Sequence, residues 1–469
     1  MEETKEKNST CRICEKTFSR ITESHVKTHG VTLSEYKLLF GNDRLMTRRC
    51  LYQCKYTQFH CNLTNSMDSD NGYCILHNNK NLEDKNLFQR VFQILMKLYN
   101  SCENDFHFEG IRFPDDLDLS YKLFDKNTYF VGAEFKGRVD FSSTRFNGVA
   151  FFRNCIFHQT ANFGKAKFFK RANFRLIKFM ENVTFQSARF VRQADFGLTE
   201  FKSEASFNLT TFENYARFPL TKFSALSGCI RFTNTRFLKP GEILFAQNDF
   251  QKVLFRYTDL SLIKFENVKW PKKSKREGRR RYLADEVDIK NKSYRTHYED
   301  VRILYLQLKR NFEERKNFLE AGDFYYGEME CYRKSNNFRR YFPLNFVNLF
   351  RISSGYGQRY IRAGIVLLLL LVTFASAHMV WGLEPAGNQE EYQPIQYKSS
   401  IASENLSTTI SDFFKSTIYC IQVLTRISGS DRLYRPVSFR GEALNSIFSI
   451  LIYLQAVFFA LALRRHFKR

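Results

Sequence analysis

The chain has 469 residues, 43% of them hydrophobic, and a formal net charge of +24 at neutral pH. That length excludes a single core, since apolar cores stop growing beyond roughly 250–300 residues, and the charge calls for an acidic partner, either nucleic acid or the anionic face of a membrane. Fifty Phe against 2 Trp, most of them between Phe106 and Phe265, point to one domain built on phenylalanine, and 11 Cys crowded toward the N-terminus suit zinc sites in a reducing compartment better than a disulfide framework.

The opening MEETKEKNST is charged and has no apolar stretch, so the first part of the chain is expected in the cytoplasm. Residues 11–29, CRICEKTFSRITESHVKTH, carry Cys11, Cys14, His25 and His29 at the spacing C-x2-C-x10-H-x3-H. A knuckle and one helix face can each supply two ligands to a tetrahedral zinc, with Phe18 and Ile21 beneath the metal. Thr32 and Glu35 then have the spacing of a capping box for a second helix. Together these residues resemble a Ros/MucR-type C2H2 zinc finger, which sets the first domain at 1–45. The resemblance implies DNA binding, while a zinc-stapled adaptor that touches protein is the alternative.

The stretch CLYQCKYTQFHCNLTNSMDSDNGYCILH offers Cys54, Cys61, Cys74 and His77 as a closed Cys3His zinc site, with Cys50 competing for the place of Cys54. Buried free thiols are the alternative. GYCILH looks like a cysteine-histidine module that precedes pentapeptide repeats in other bacterial proteins. This module and a linking helix are expected over 46–100, so the chain carries two zinc sites in all.

From Phe163 through Phe168, Phe174, Phe179, Phe185, Phe190, Phe196 and Phe201 to Phe207, Phe recurs at alternating steps of five and six, a period of eleven. Two residues before most of these stands a small or β-branched residue: Ala161, Ala166, Ala172, Val183, Ala188, Ala194, Thr199 and Ala205. Neither helical nor simple strand periodicity produces this pattern. It resembles the pentapeptide-repeat family, which implies a right-handed quadrilateral β-helix over 106–270 with Phe and the preceding small residue inside. Two eleven-residue units make one coil, and about seven coils at about 4.8 Å make a rod near 35 Å long. The spacing breaks predict loops around Ser227 and Pro240. Some members mimic DNA, but that needs an acidic surface, and Lys165, Lys167, Lys170, Arg171 and Arg175 lie at outward positions here.

Residues 271–350 begin with a basic run, PKKSKREGRRRY, and continue as a helical hairpin. Val301, Leu304, Leu308 and Phe312 share one helix face, and Ala321, Phe324, Glu328 and Cys331 mark the other helix. Glu328 and Glu330 do not share a face, so they are read as surface or hairpin-pairing carboxylates. No carboxylate pair, nucleophile with base or glycine-rich phosphate loop stands at a usable spacing, and the protein is expected not to be an enzyme.

The last domain, 351–469, holds two apolar segments, 363–383 and 444–463, each long enough to cross a bilayer. Arg351, Arg359 and Arg362 precede the first, and Arg464, Arg465, Lys468 and Arg469 follow the second. The positive-inside rule then places both termini in the cytoplasm of a cell bounded by the inner (plasma) membrane. Between the spans, 413–431 reads as a re-entrant segment, too short to cross. FFKSTIYCIQVLTRISGSD with LQAVFFALALRRHFKR resembles the two-span bacterial ion-channel domain that is appended to pentapeptide repeats. This implies a homo-oligomer, most simply a tetramer, around a pore for inorganic ions.

The pore loop would be Thr425, Arg426, Ile427, Ser428, Gly429, Ser430 and Asp431, which lacks the glycines of a potassium filter. Arg426 either forms a cationic ring or braces Asp431. Asn445 and Gln455 are pore-facing candidates. The expectation is a channel-like protein gated through its zinc and solenoid region by a cytoplasmic protein or nucleic-acid ligand, with membrane depolarisation in stress or phage defence as a role the architecture suggests. The alternative is a membrane-tethered scaffold whose spans only anchor.

Overall fold

The computed structural model describes residues 9–41, 50–54, 57, 60–63, 73–77, 85–223, 228–271, 281–291, 298–336, 345–386, 393–395, 406–424 and 433–467. They fall into two compact units, residues 1–294 and 295–469.

The first unit opens with an antiparallel pair of short strands, Ser9–Thr10 and Thr17–Phe18, followed by helices α1 (Glu23–Lys27) and α2 (Leu33–Phe40). The expected capping box is present, with Thr32 Oγ1 accepting from Glu35 N and Glu35 accepting from Thr32 N. Helix α3 (Lys85–Ser101) is amphipathic and buries Phe88, Phe92, Leu95 and Leu98 on one face.

Beyond α3 the chain coils into a β-solenoid of about seven turns. Its strands are mostly two residues long, from Phe106–His107 to Lys264–Glu266, and stack into four parallel sheets of six, eight, five and seven strands. Over the first part of the rod each strand pairs with the one 22 residues further on, as Arg145 with Lys167, Ala150 with Ala172, Ile156 with Lys178 and Ala161 with Val183. Strands this short persist because each coil hydrogen-bonds to the next and the interior is filled by Phe. The rings of Phe124, Phe146, Phe168, Phe190 and Phe212 stack nearly parallel at 4.8 to 5.0 Å. Neighbouring columns meet edge to face, as Phe163 and Phe174 do at 5.6 Å and 86°. The small residues named from the sequence, Ala161 through Ala205, are all buried among them.

The eleven-residue period has a backbone cause. Ser143, Asn154, Lys165, Leu176, Ser187, Leu198 and Leu209 hold φ between 57° and 62°, one in every five-residue step. Each left-handed residue costs about 1–2 kcal/mol, and coil-to-coil hydrogen bonds such as Lys165 N to Gln186 O (2.8 Å) offset it. Where the period breaks, the pairing shifts: Ala205 pairs with Ile230 and Ala216 with Ile243. The loop expected around Ser227 lies outside the described residues, and the one around Pro240 is a single 3-10 turn, Pro240–Glu242.

Both ends of the stack are covered, as an open solenoid requires. Phe88 and Phe92 of α3 pack edge-on against Phe113. At the other end lies α4 (Ala284–Asn291), a helix inside the stretch read from sequence as basic linker. Its fully buried Asp285 accepts hydrogen bonds from Phe255 N and Arg256 N at 3.0–3.1 Å.

In the second unit α5 (Tyr298–Glu314) and α6 (Phe318–Ser335) form the helical hairpin. Val301, Leu304, Leu308 and Phe312 are buried, as are Ala321, Phe324 and Cys331. Short helix α7 (Phe346–Ser354), capped by Asn345 and ended by left-handed Gly355, precedes the apolar helix α8 (Tyr360–Trp381). Then come α9 (Leu406–Leu424) and α10 (Phe439–Phe467). An antiparallel pair, Leu383–Pro385 with Tyr434–Pro436, joins the end of α8 to the start of α10. Phe374, Ala375 and Met379 of α8, Tyr419, Cys420 and Val423 of α9, and Ile452 of α10 share one core.

Candidate functional site

In the first Cys/His cluster the hairpin turn presents Cys11 and Cys14, and Glu15 at φ 59° closes it, with its N–H donated to Cys11 O at 2.8 Å. Helix α1 is capped by Thr22 and carries His25, with His29 just past its end. The ligand atoms of all four residues lie within 4.8 Å of one another. Cys11 Sγ is 3.8 Å from His29 Nε2, Cys14 Sγ is 3.5 Å from His25 Nε2, and the two Nε2 atoms are 3.3 Å apart. Four donors on a tetrahedral zinc, with Zn–S of about 2.3 Å and Zn–N of about 2.0 Å, would stand about 3.8, 3.5 and 3.3 Å apart for S–S, S–N and N–N edges. The cluster fits such an ion.

The second cluster consists of Cys50, Cys61, Cys74 and His77, all buried. Cys50, not Cys54, joins the set. The backbone bond from Cys50 N to Leu63 O (2.9 Å) and the donation from Cys74 N to Cys50 Sγ (3.2 Å) fix Cys50 there, whereas Cys54 is buried outside the group. Cys61 and Cys74 Sγ are 3.8 Å apart, and His77 Nδ1 is 3.6 Å from Cys50 and 3.2 Å from Cys74. Hydrogen bonds from Cys61 and then Cys74 hold the Cys50 thiol below its usual range against the opposing effect of burial.

His77 Nε2 lies 2.9 Å from the backbone carbonyl of Glu109, which can only accept, so Nε2 carries the proton and Nδ1 faces the sulfurs. Tyr52 stacks on the same ring at 4.0 Å and 3°. Since Glu109 belongs to the first coil of the solenoid, the bond anchors this cluster to the rod. Both clusters offer four protein ligands and no open position, an arrangement that staples a fold and does not activate a water.

The second candidate region is the apolar one. Helix α8 and residues Gly441–Phe467 of α10 are long and apolar enough to cross a membrane. They differ slightly from the expected 363–383 and 444–463, because helix ends extend into flanking polar residues that hydropathy does not weigh. The helix in the segment read as 413–431 begins earlier, at Leu406, and is described as far as Leu424, since Ile410, Phe414, Ile418 and Ile421 continue one apolar stripe into the polar STTIS turn. Thr425, Arg426, Ile427, Ser428, Gly429, Ser430 and Asp431 lie outside the described residues.

Gln455, one of the two pore-facing candidates, is buried and donates Nε2 to the Ala363 carbonyl of α8 at 2.7 Å, so it joins two helices of the same chain. Asn445 is half-buried, and its Oδ1 has no hydrogen-bond partner among the described residues.

Sequence reasoning passed over two features here. His378 of α8 is fully buried, with neither ring nitrogen hydrogen-bonded to any described residue, its ring against Phe374 and Tyr419. A histidine in an apolar run was visible, but its burial was not. Glu330 is no surface carboxylate: 5% exposed, it contacts Arg333 (2.9 Å), Arg351 (2.9 Å) and the Tyr356 hydroxyl (2.9 Å). Glu328 does pair across the hairpin, with Lys309 at 3.1 Å.

Among known families, the one described as pentapeptide repeats (9 copies) matches residues 130–176, inside the solenoid. No curated protein matches the chain. Among solved structures, QnrB1, a plasmid-mediated fluoroquinolone resistance protein, is similar at 16% identity, covering 33% of this chain and 90% of that one with a TM-score of 0.12.

Proposed function

We propose that this pentapeptide-repeat protein is a non-enzymatic, oligomeric, ion-channel-like membrane protein. The observation that carries the reading is the packing of the shorter helix α9 into one core with two helices that are each apolar enough to span. Long helix, short helix, long helix is the plan by which a chain with two spans lines a pore in an assembly. Ile365, Leu368, Leu369, Ile447, Ile450 and Val457 are exposed on these helices, a surface suited to lipid or to further copies. Two spans enclose no channel alone, so the active form is a homo-oligomer, most simply a tetramer, and Asn445 Oδ1 is a group such an assembly can satisfy.

The cationic residues before α8 and after α10 support a cytoplasmic setting for both termini, and with them the solenoid. Each Cys/His cluster holds a structural zinc ion there. The gating input reaches the spans through the α5–α6 hairpin, whose Glu330 holds Tyr356, which in turn is held by Arg465 at the end of α10. The test is ion flux from purified protein in liposomes. Conductance from an assembled oligomer is expected; an inserted oligomer that passes no ion under any applied stimulus leaves the spans as anchors of a scaffold.

A further inference from the structure

The outward residues of the solenoid are sorted by face. Register alignment puts Leu123, Arg145, Lys167, Arg189, Thr211 and Arg236 in one ladder, and all four cations are exposed. Three residues further along each coil, Lys170, Arg192 and Lys239 are exposed beside Lys167, Arg189 and Arg236. The other ladders differ: Glu134, Ile156, Lys178, Glu200 and Lys222 mix both signs, and Asp118, Asp140, Asn162, Thr184 and Ser206 lead to one cation, Arg231, which is paired with Glu204. On the cationic face Arg189 pairs with Glu213 and Arg145 lies over the Phe169 ring at 5.2 Å.

We infer that this face docks on an anionic lipid leaflet. Four coil steps at about 4.8 Å make a straight strip about 19 Å long. Aliphatic side chains stand among the cations: Leu238 is 60% exposed, Leu123 53% and Leu209 49%. Exposed aliphatics within a basic strip suit the headgroup boundary of a bilayer, whereas a phosphodiester backbone offers them nothing. The inference rests on the membrane reading above, because spanning helices in the same chain would tether the solenoid to a membrane and raise the effective concentration of lipid around it.

The test is amine-reactive footprinting of the full-length protein in nanodiscs. With phosphatidylglycerol present at about 0.1 M salt, Lys167 and Lys170 become several-fold less reactive than in phosphatidylcholine alone, while Lys178 is unchanged. Raising salt to about 0.5 M shortens the screening length and removes the protection. Arg189→Glu with Arg192→Glu weakens it by at least about fivefold per cation lost. Equal reactivity in both lipids overturns the proposal, as does protection by added duplex DNA or RNA in neutral discs, which assigns the face to nucleic acid. Failure to enter neutral nanodiscs overturns the membrane reading together with this one; entry without protection overturns only this one.

Discussion

Arg465, near the end of α10, donates Nη1 to the backbone carbonyl of Tyr356 at 2.7 Å, across 109 residues of chain. The hydroxyl of Tyr356 donates in turn to Glu330, which also holds the buried Arg333, so one tyrosine joins the last apolar helix to the hairpin. Replacing Glu330 by Ala leaves Arg333 buried without its anion and is expected to cost about 3–5 kcal/mol. Tyr356→Phe removes one hydrogen bond and should cost about 1–2 kcal/mol. Thermal unfolding of the two variants in detergent checks the order.

Metal content separates the two clusters. The native chain should bind two zinc ions, and Cys14→Ser and Cys50→Ser should each bind one, by elemental analysis of purified protein. Cys54→Ser should still bind two. Loss of an ion in Cys54→Ser with retention in Cys50→Ser would reverse the ligand assignment.

Two glycines of one coil predict opposite outcomes. A Cβ on Gly137 would stand 2.3 Å from the backbone of Asp115 and Asp116, so Gly137→Asn forces neighbouring coils apart and should cost about 3 kcal/mol or more. Gly132 has φ +71° and nothing within 4 Å of an added Cβ. Asn154 and Asn234 already adopt this conformation at equivalent corners, so Gly132→Asn should change stability by no more than about 0.5 kcal/mol. Denaturant unfolding measures both.

The α4 cap should loosen as pH rises. Burial pushes the Asp285 carboxyl from its ordinary 3.8 to about 6, against the opposing pull of Phe255 N and Arg256. The folded state therefore binds this proton more tightly than the unfolded one, and the cap loses stability between about pH 4 and pH 6, then levels off. Hydrogen-exchange protection at Phe255 and Arg256 should fall across that window, and Asp285→Asn should flatten the profile.

The rod was legible because its rule is local: Phe and a small residue at fixed offsets fill each side of each coil, so the spacing showed the repeat and its resemblance to pentapeptide repeats implied that Phe163 to Phe207 are interior. The first Cys/His cluster was equally open, since all four ligands lie within nineteen residues. What escaped depends on partners distant in the chain. Spacing could not rank Cys50 above Cys54, because the choice turns on bonds to Leu63 and Cys74. Asp285 sits beside a basic run that masks a helix, and its role follows only from amides 30 residues earlier. Glu330 looked exposed on its own helix, because Arg351 and Tyr356 come from beyond it.

The left-handed corners give the rod a unit of growth. With one such corner every eleven residues and 22 residues per coil, an inserted or deleted block of 22 changes the length by one storey and leaves every side facing as before. A block of eleven turns all that follows by half a revolution. Duplication in whole storeys could therefore lengthen this protein while its cationic side stayed in line, and any other increment must appear as a shift in pairing, as where Ala216 pairs with Ile243.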